Sequence, residues 1–162
     1  MKLYIAGSWL EREYVGDLID KVRKIGHIVT YDWTADVSPT LLDDGELARI
    51  AYVETAAIQK SDRLWLVFPT TESRGSFVEL GLALAWHHYK PIVSGRELHK
   101  CIYNHICQQF TNEETVLEYL TDARNRECEA AAIKVSQQER NGLFPTPTEV
   151  LVALGNASGS GT

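Results

Sequence analysis

The chain has 162 residues, 44% hydrophobic and 23% charged, the proportions of an ordinary globular protein and a length suited to one domain with its own core. Its formal net charge of −6, with no basic run, excludes long-range steering of a nucleic acid polymer, whereas one arginine and a helix N-terminus are enough to hold a single phosphate. No segment approaches the roughly 20 apolar residues of a membrane span, the N-terminus runs directly into a strand-like stretch without a signal-peptide pattern, and the three cysteines form no C-x-x-C pair. The expectation is a cytoplasmic protein that contacts neither membrane nor nucleic acid.

In chain order, residues 2–6 read as a short buried strand cut by Gly7-Ser8. Val15, Leu18, Ile19 and Val22 recur at helical spacing and predict a helix over residues 14–24, which Gly26 stops. Residues 27–31 form a second strand, and the polar stretch 32–45 a long loop. A helix over residues 46–60 leads through Ser61-Asp62 into residues 63–68, whose LWLVF run reads as a central parallel strand buried on both faces. Residues 69–75 are a loop, 76–88 an apolar helix and 91–94 the start of a fourth strand. A fifth short strand is expected around residues 106–110. Thr111-x-x-Glu114 has the form of a capping box opening a helix that includes Val116, Leu117 and Leu120 and extends to Arg140. Residues 156–162 (NASGSGT) read as a flexible tail after one domain of residues 1–155. The alternation predicts the α/β class, a flavodoxin-like or Rossmann-like parallel sheet of about five strands with helices on both faces.

Open parallel sheets bind ligands beyond the carboxyl ends of the strands, where strand order reverses. In a 2-1-3-4-5 sheet that point lies between the first and third strands, and the sequence puts two unusual loops there. Gly7-Ser8-Trp9-Leu10-Glu11-Arg12 follows the first, combining a permissive glycine with a hydroxyl, an indole and a guanidinium. Residues 69–76 follow the third and deliver Glu79 into an apolar helix. Ser76-x-x-Glu79 has two readings: a capping box in which Glu79 satisfies a backbone donor, or a carboxylate partly desolvated by Phe77, Val78 and Leu80 and so tuned for chemistry. Cys101, His105 and Cys107 lie close in sequence, but no second ligand pair of zinc spacing follows, so no metal site is expected.

Three stretches, YIAGSW at residues 4–9, the helix-to-strand passage 54–68 and SRGSFVELGLALAWHHYKPI at residues 73–92, resemble the nucleoside 2-deoxyribosyltransferase superfamily, including its hydrolytic branch of nucleoside monophosphate N-glycosidases. The resemblance runs from the N-terminus to about residue 93. It implies that Glu79 is a nucleophile forming a glycosyl ester, that Tyr4 holds its carboxylate, and that the helix residue at Glu54 contacts the nucleoside. Relatives have an aspartate at that last position, and glutamate reaches about 1.5 Å further. Six residues before the nucleophile the transferases resemble one another in carrying an aspartate and the monophosphate hydrolases a serine; this chain has Ser73. A neutral hydroxyl beside Gly75, Ser76 and the helix N-terminus accepts a 5′-phosphate that an aspartate would repel. The hydrolases' arginine after the first Gly-Ser is replaced by Leu10, with Arg12 two residues on.

The expected protein is thus an N-glycosidase of nucleoside 5′-monophosphates needing no metal or organic cofactor, with Glu79 and Tyr4 catalytic. Gly7, Ser8, Trp9, Arg12, Trp33, Glu54, Ser73, Gly75 and Ser76 are the expected substrate contacts, with Trp9, Tyr31 and Trp33 as base-stacking candidates. Glu54 is the first candidate for protonating the leaving base. The alternatives are a deoxyribosyltransferase, an NAD glycohydrolase and a nucleotide-binding sensor without turnover. The resemblance also implies a homodimer, since relatives complete their sites across a subunit interface.

Overall fold

The computed structural model describes residues 1–86, 89–96, 98 and 101–140, with side chains up to residue 134. Five strands, β1 (Lys2–Ala6), β2 (Ile28–Val29), β3 (Arg63–Val67), β4 (Ile92–Ser94) and β5 (Gln108–Phe110), pair in parallel in the order β2-β1-β3-β4-β5. The helices are α1 (Arg12–Ile25), α2 (Asp44–Lys60), α3 (Gly75–Trp86) and α4 (Glu113–Arg140). Right-handed crossovers explain the layering. The chain steps one way from β1 to β2 and the other way from β2 to β3, so α1 packs with α4 on one face while α2 packs with α3 on the opposite face.

The predicted α/β class and strand order are those observed. All five residues of β3 are buried, as expected of a strand covered on both faces. Val15, Leu18, Ile19 and Val22 are the buried stripe of α1, and Gly26 ends it at φ 95°, its N–H bonding back to Arg23 O at 2.9 Å. Arg63 is buried at the foot of the sheet and fully engaged: it donates to Lys90 O at 2.5 Å, to the Tyr119 hydroxyl at 2.9 Å and to Gln108 Oε1. That one guanidinium ties β3 to β5, α4 and the approach to β4.

The boundaries differ where local chemistry overrides periodicity. α1 begins at Arg12 because a 3-10 turn over Trp9–Glu11, capped by Ser8, runs into it. α2 begins at Asp44 because the Asp43 carboxylate accepts the Glu46 N–H at 2.8 Å. β2 contracts to two residues at the sheet edge, and the stretch expected to be loop holds 3-10 turns at Trp33–Ala35 and Pro39–Leu41. A 3-10 turn over Ile102–Ile106 precedes β5, which therefore starts at Gln108. Asn112, not Thr111, caps α4, its Oδ1 accepting the Thr115 N–H at 2.9 Å. α4 buries Val116 and Leu120, while residues 125–134 are all exposed. His87, His88 and the tail 156–162 lie outside the described residues.

Candidate active site

Side chains alternate across β1, so Tyr4 points toward the α2/α3 layer while Leu3 and Ile5 point the other way. Tyr4 is fully buried, and its hydroxyl donates to Glu79 Oε1 at 2.5 Å, joining residues 75 positions apart. The capping-box geometry is not formed. α3 starts at Gly75, which moves Ser76 into the first turn, where its hydroxyl donates to Ser73 Oγ at 2.7 Å; the Glu79 carboxylate is on Tyr4.

Burial is the main reason the Glu79 carboxyl is pushed up to about 8; the Tyr4 hydrogen bond opposes it and the charge of Glu54 adds to it. Glu54, half-buried on α2, is pushed up to about 7, by burial and then by Asp36. Burial and the two glutamates hold the Tyr4 hydroxyl far above its ordinary value, so it stays protonated and remains a donor. Two interacting carboxyls near neutrality titrate as one system, and at pH 7 the pair retains a proton. A pair that shares a proton near neutrality can divide between its members the roles of acid and of base or nucleophile.

The two loops expected at the switch point are bound to each other. Ser8 is buried, caps the Leu10 N–H at 3.3 Å and shares a 2.8 Å hydrogen bond with Thr71; Glu11 Oε1 accepts from the backbone and hydroxyl of Thr70. Ser8 is thus committed within the protein. A Cβ on Gly7 would lie 2.8 Å from Val15 Cγ2, so glycine is required for α1 to close on the loop. Trp9 is half-buried with the Arg12 guanidinium over its ring, 5.2 Å from the centroid. Trp33 departs from its expected place as a base platform. Only 5% exposed, it packs against Gly7 and donates through Nε1 to Ile5 O at 2.7 Å, which makes it a packing residue behind the loop.

At the start of α3, Ser73 is half-buried beside Ser76, and a Cβ on Gly75 would meet nothing within 4 Å. The backbone there is open to a ligand. Arg74, 91% exposed, pairs with Glu72 at 3.0 Å.

A cavity of about 610 Å3 lies elsewhere, over the carboxyl ends of β3 and β4, and none of the expected site residues lines it. Two of its three acids are engaged, Glu11 with Thr70 and Glu113 with the hydroxyls of Tyr14 and Ser94, both at 3.0 Å, and the third, Glu114, is exposed. The Tyr4–Glu79–Glu54 group is therefore the stronger chemical centre. Among the described residues no three His, Cys, Asp or Glu side chains are placed to hold a metal ion. No described helix is long and apolar enough to cross a membrane. Sequence reasoning passed over Asp36 and over the loop-tying roles of Glu11, Thr70 and Thr71. None lies on a periodic pattern, and each acts through a partner distant in the chain or in an irregular turn.

No protein-family model matches the chain, and no curated protein sequence matches it. Among solved structures, a conserved protein from Enterococcus faecalis V583 aligns over 76% of this chain and 98% of its own, with a TM-score of 0.55 and 18% identity. The CMP N-glycosidase BcmB of Clostridium botulinum aligns over 74% of this chain and 98% of its own, with a TM-score of 0.49 and 18% identity. At this identity the similarity to the Enterococcus faecalis protein shows the fold alone.

Proposed function

We propose that the protein hydrolyses the N-glycosidic bond of a nucleoside 5′-monophosphate, releasing free base and sugar 5-phosphate. The observation that carries this reading is the Tyr4–Glu79 hydrogen bond, with the charge of Glu54 acting on Glu79 and both carboxyls pushed up toward neutrality by burial. The open α3 N-terminus with Ser73, Gly75 and Ser76 supports a phosphate contact there. Arg12 and Trp9 are read as the adjoining wall.

The atoms balance without a cofactor. A Glu79 oxygen bonds to C1′ as the C1′–N bond breaks, its electron pair leaving with the base and the Glu54 proton going to that base. Water then attacks C1′ and gives its proton to the Glu54 carboxylate, while the ester electrons return to Glu79. Tyr4 carries no bond change; it fixes the carboxylate and lowers the cost of keeping it ionised.

The test is incubation with nucleoside monophosphates alone, followed by chromatography for free base. Base and sugar phosphate should accumulate with no acceptor present. Release that requires a second base assigns the protein to sugar transfer, and no release from nucleotides, nucleosides or NAD removes the enzymatic reading.

Ser73→Asp sets a carboxylate against the substrate phosphate in a partly dehydrated site. Turnover of the monophosphate should fall at least about tenfold more than that of the matching nucleoside. Equal losses on both substrates remove Ser73 from the phosphate site. The reading includes a homodimer, supported by the apolar side chains Tyr52, Val78, Trp86 and Tyr89 exposed on and after α2 and α3; a monomeric mass in light scattering removes it.

A further inference from the structure

We propose that Glu11 is a positioning residue that sets the gap between the two walls of the phosphate site, and with it the preference for a 5′-monophosphate over the matching nucleoside. The inference rests on the glycosidase reading for its ligand, and on the hydrogen bonds between the two loops for its geometry.

Each wall is shaped within its own chain segment. On the β1 side, Ser8 caps the Leu10 N–H at 3.3 Å, and its carbonyl accepts the Glu11 N–H at 2.9 Å. These bonds close the 3-10 turn that carries Trp9 and leads into Arg12. On the β3 side, the Ser76 hydroxyl donates to Ser73 Oγ at 2.7 Å and the Val78 N–H to Arg74 O at 3.3 Å, so residues 73 and 74 are fixed to α3. None of these bonds crosses from one wall to the other.

Beyond the Tyr4–Glu79 bond, which joins β1 to α3 directly, two side-chain ties make the crossing among the described residues. Ser8 and Thr71 share one hydrogen bond between neutral hydroxyls. Glu11 Oε1 accepts both the Thr70 N–H, at 3.2 Å, and the Thr70 hydroxyl. A carboxylate acceptor makes the stronger bond, and two donors from one residue fix direction as well as distance. Packing adds little: Thr70 and Thr71 are exposed, and Glu11 and Thr70 line the cavity of about 610 Å3, so open space lies behind the tie. Arg12 follows Glu11 in the chain, its guanidinium over the Trp9 ring. Its place relative to Ser73 therefore depends on Glu11. A phosphate bridging that guanidinium and the α3 N-terminus needs both walls at one spacing, and a nucleoside, lacking the phosphate, does not.

The test compares ligands that differ only in the phosphate. Titration calorimetry of the wild type with the common nucleoside 5′-monophosphates and their nucleosides selects the tightest pair, which is then applied to the variants. Glu11→Ala should raise Kd and KM for the monophosphate about tenfold, with kcat and the nucleoside Kd each within about twofold of wild type. Glu11→Gln should restore most of the loss, because its carbonyl accepts from the same donors. Thr70→Val, which keeps the backbone donor, should show a smaller loss of the same selectivity. Added to Glu11→Ala it should cost nothing further, since both substitutions cut one tie. Deuterium exchange at the Thr70 amide should quicken in Glu11→Ala and not in Glu11→Gln. Equal losses on both ligands, or no rescue by glutamine, overturn the inference even in an enzyme that hydrolyses nucleotides. Selective, rescued loss of monophosphate binding in a protein that releases no base upholds Glu11 as the positioning residue and defeats the glycosidase reading separately.

Discussion

Glu79→Gln should leave a folded protein whose release of base falls by at least about a thousandfold, because an amide oxygen cannot form the glycosyl ester. The substitution is nearly isosteric, and the Tyr4 hydroxyl that now bonds Oε1 at 2.5 Å keeps an acceptor in the glutamine carbonyl. Substrate affinity should change little, since Ser73, Gly75 and the α3 N-terminus are untouched. A capping role predicts near-silence instead, as glutamine serves that position of the box equally well. Base release by the purified variant, measured beside its thermal melt, separates the two; near-normal turnover by a folded variant would falsify the nucleophile assignment.

The same substitution should stabilise the protein in alkaline solution. Glu79 and Glu54 stand at about 8 and 7 in the fold, against an ordinary 4.5. Between pH 4.5 and 8 the native state therefore holds protons that the unfolded chain has released. More protons bound in the native state means that stability falls as pH rises through that window, and it levels off above about 8. Glu79→Gln removes the larger share of this loss. Denaturant melts should give the variant an advantage on the order of 3 kcal/mol at pH 8.5 that vanishes toward pH 4.5. Parallel curves for the two proteins across that range would show that Glu79 is not desolvated. The direction also separates this residue from an ordinary structural carboxylate, whose loss weakens a protein at high pH.

The legible part of the molecule is the part set by periodicity and punctuation. Val15, Leu18, Ile19 and Val22 announce α1, Gly26 ends it, and the unbroken LWLVF run places β3 at the centre of the sheet. Glu79 was ambiguous for a physical reason: its local pattern is that of a cap, and the fact that resolves it is a hydroxyl on β1 which only tertiary folding brings near. Trp33 shows the converse. An aromatic residue at a strand exit has the composition of a stacking platform, but here the indole is buried beside Gly7, and the Ile5 carbonyl takes its N–H. Asp36 was invisible because an irregular turn encodes position through hydrogen bonds rather than through spacing. Asn112 replaced Thr111 as the α4 cap by a one-residue offset, well within what capping motifs leave open.

The ties between the first and third strand loops bear on how a ligand is received. Ser8–Thr71 and Glu11–Thr70 join segments 63 and 59 positions apart, so the rim they form is ordered when the domain folds. The conformational entropy of arranging those two segments is already lost before any substrate arrives, and binding need not repeat the loss. Association should then behave as docking to a ready-made edge, with dissociation, rather than a loop-ordering step, setting the lifetime of the complex.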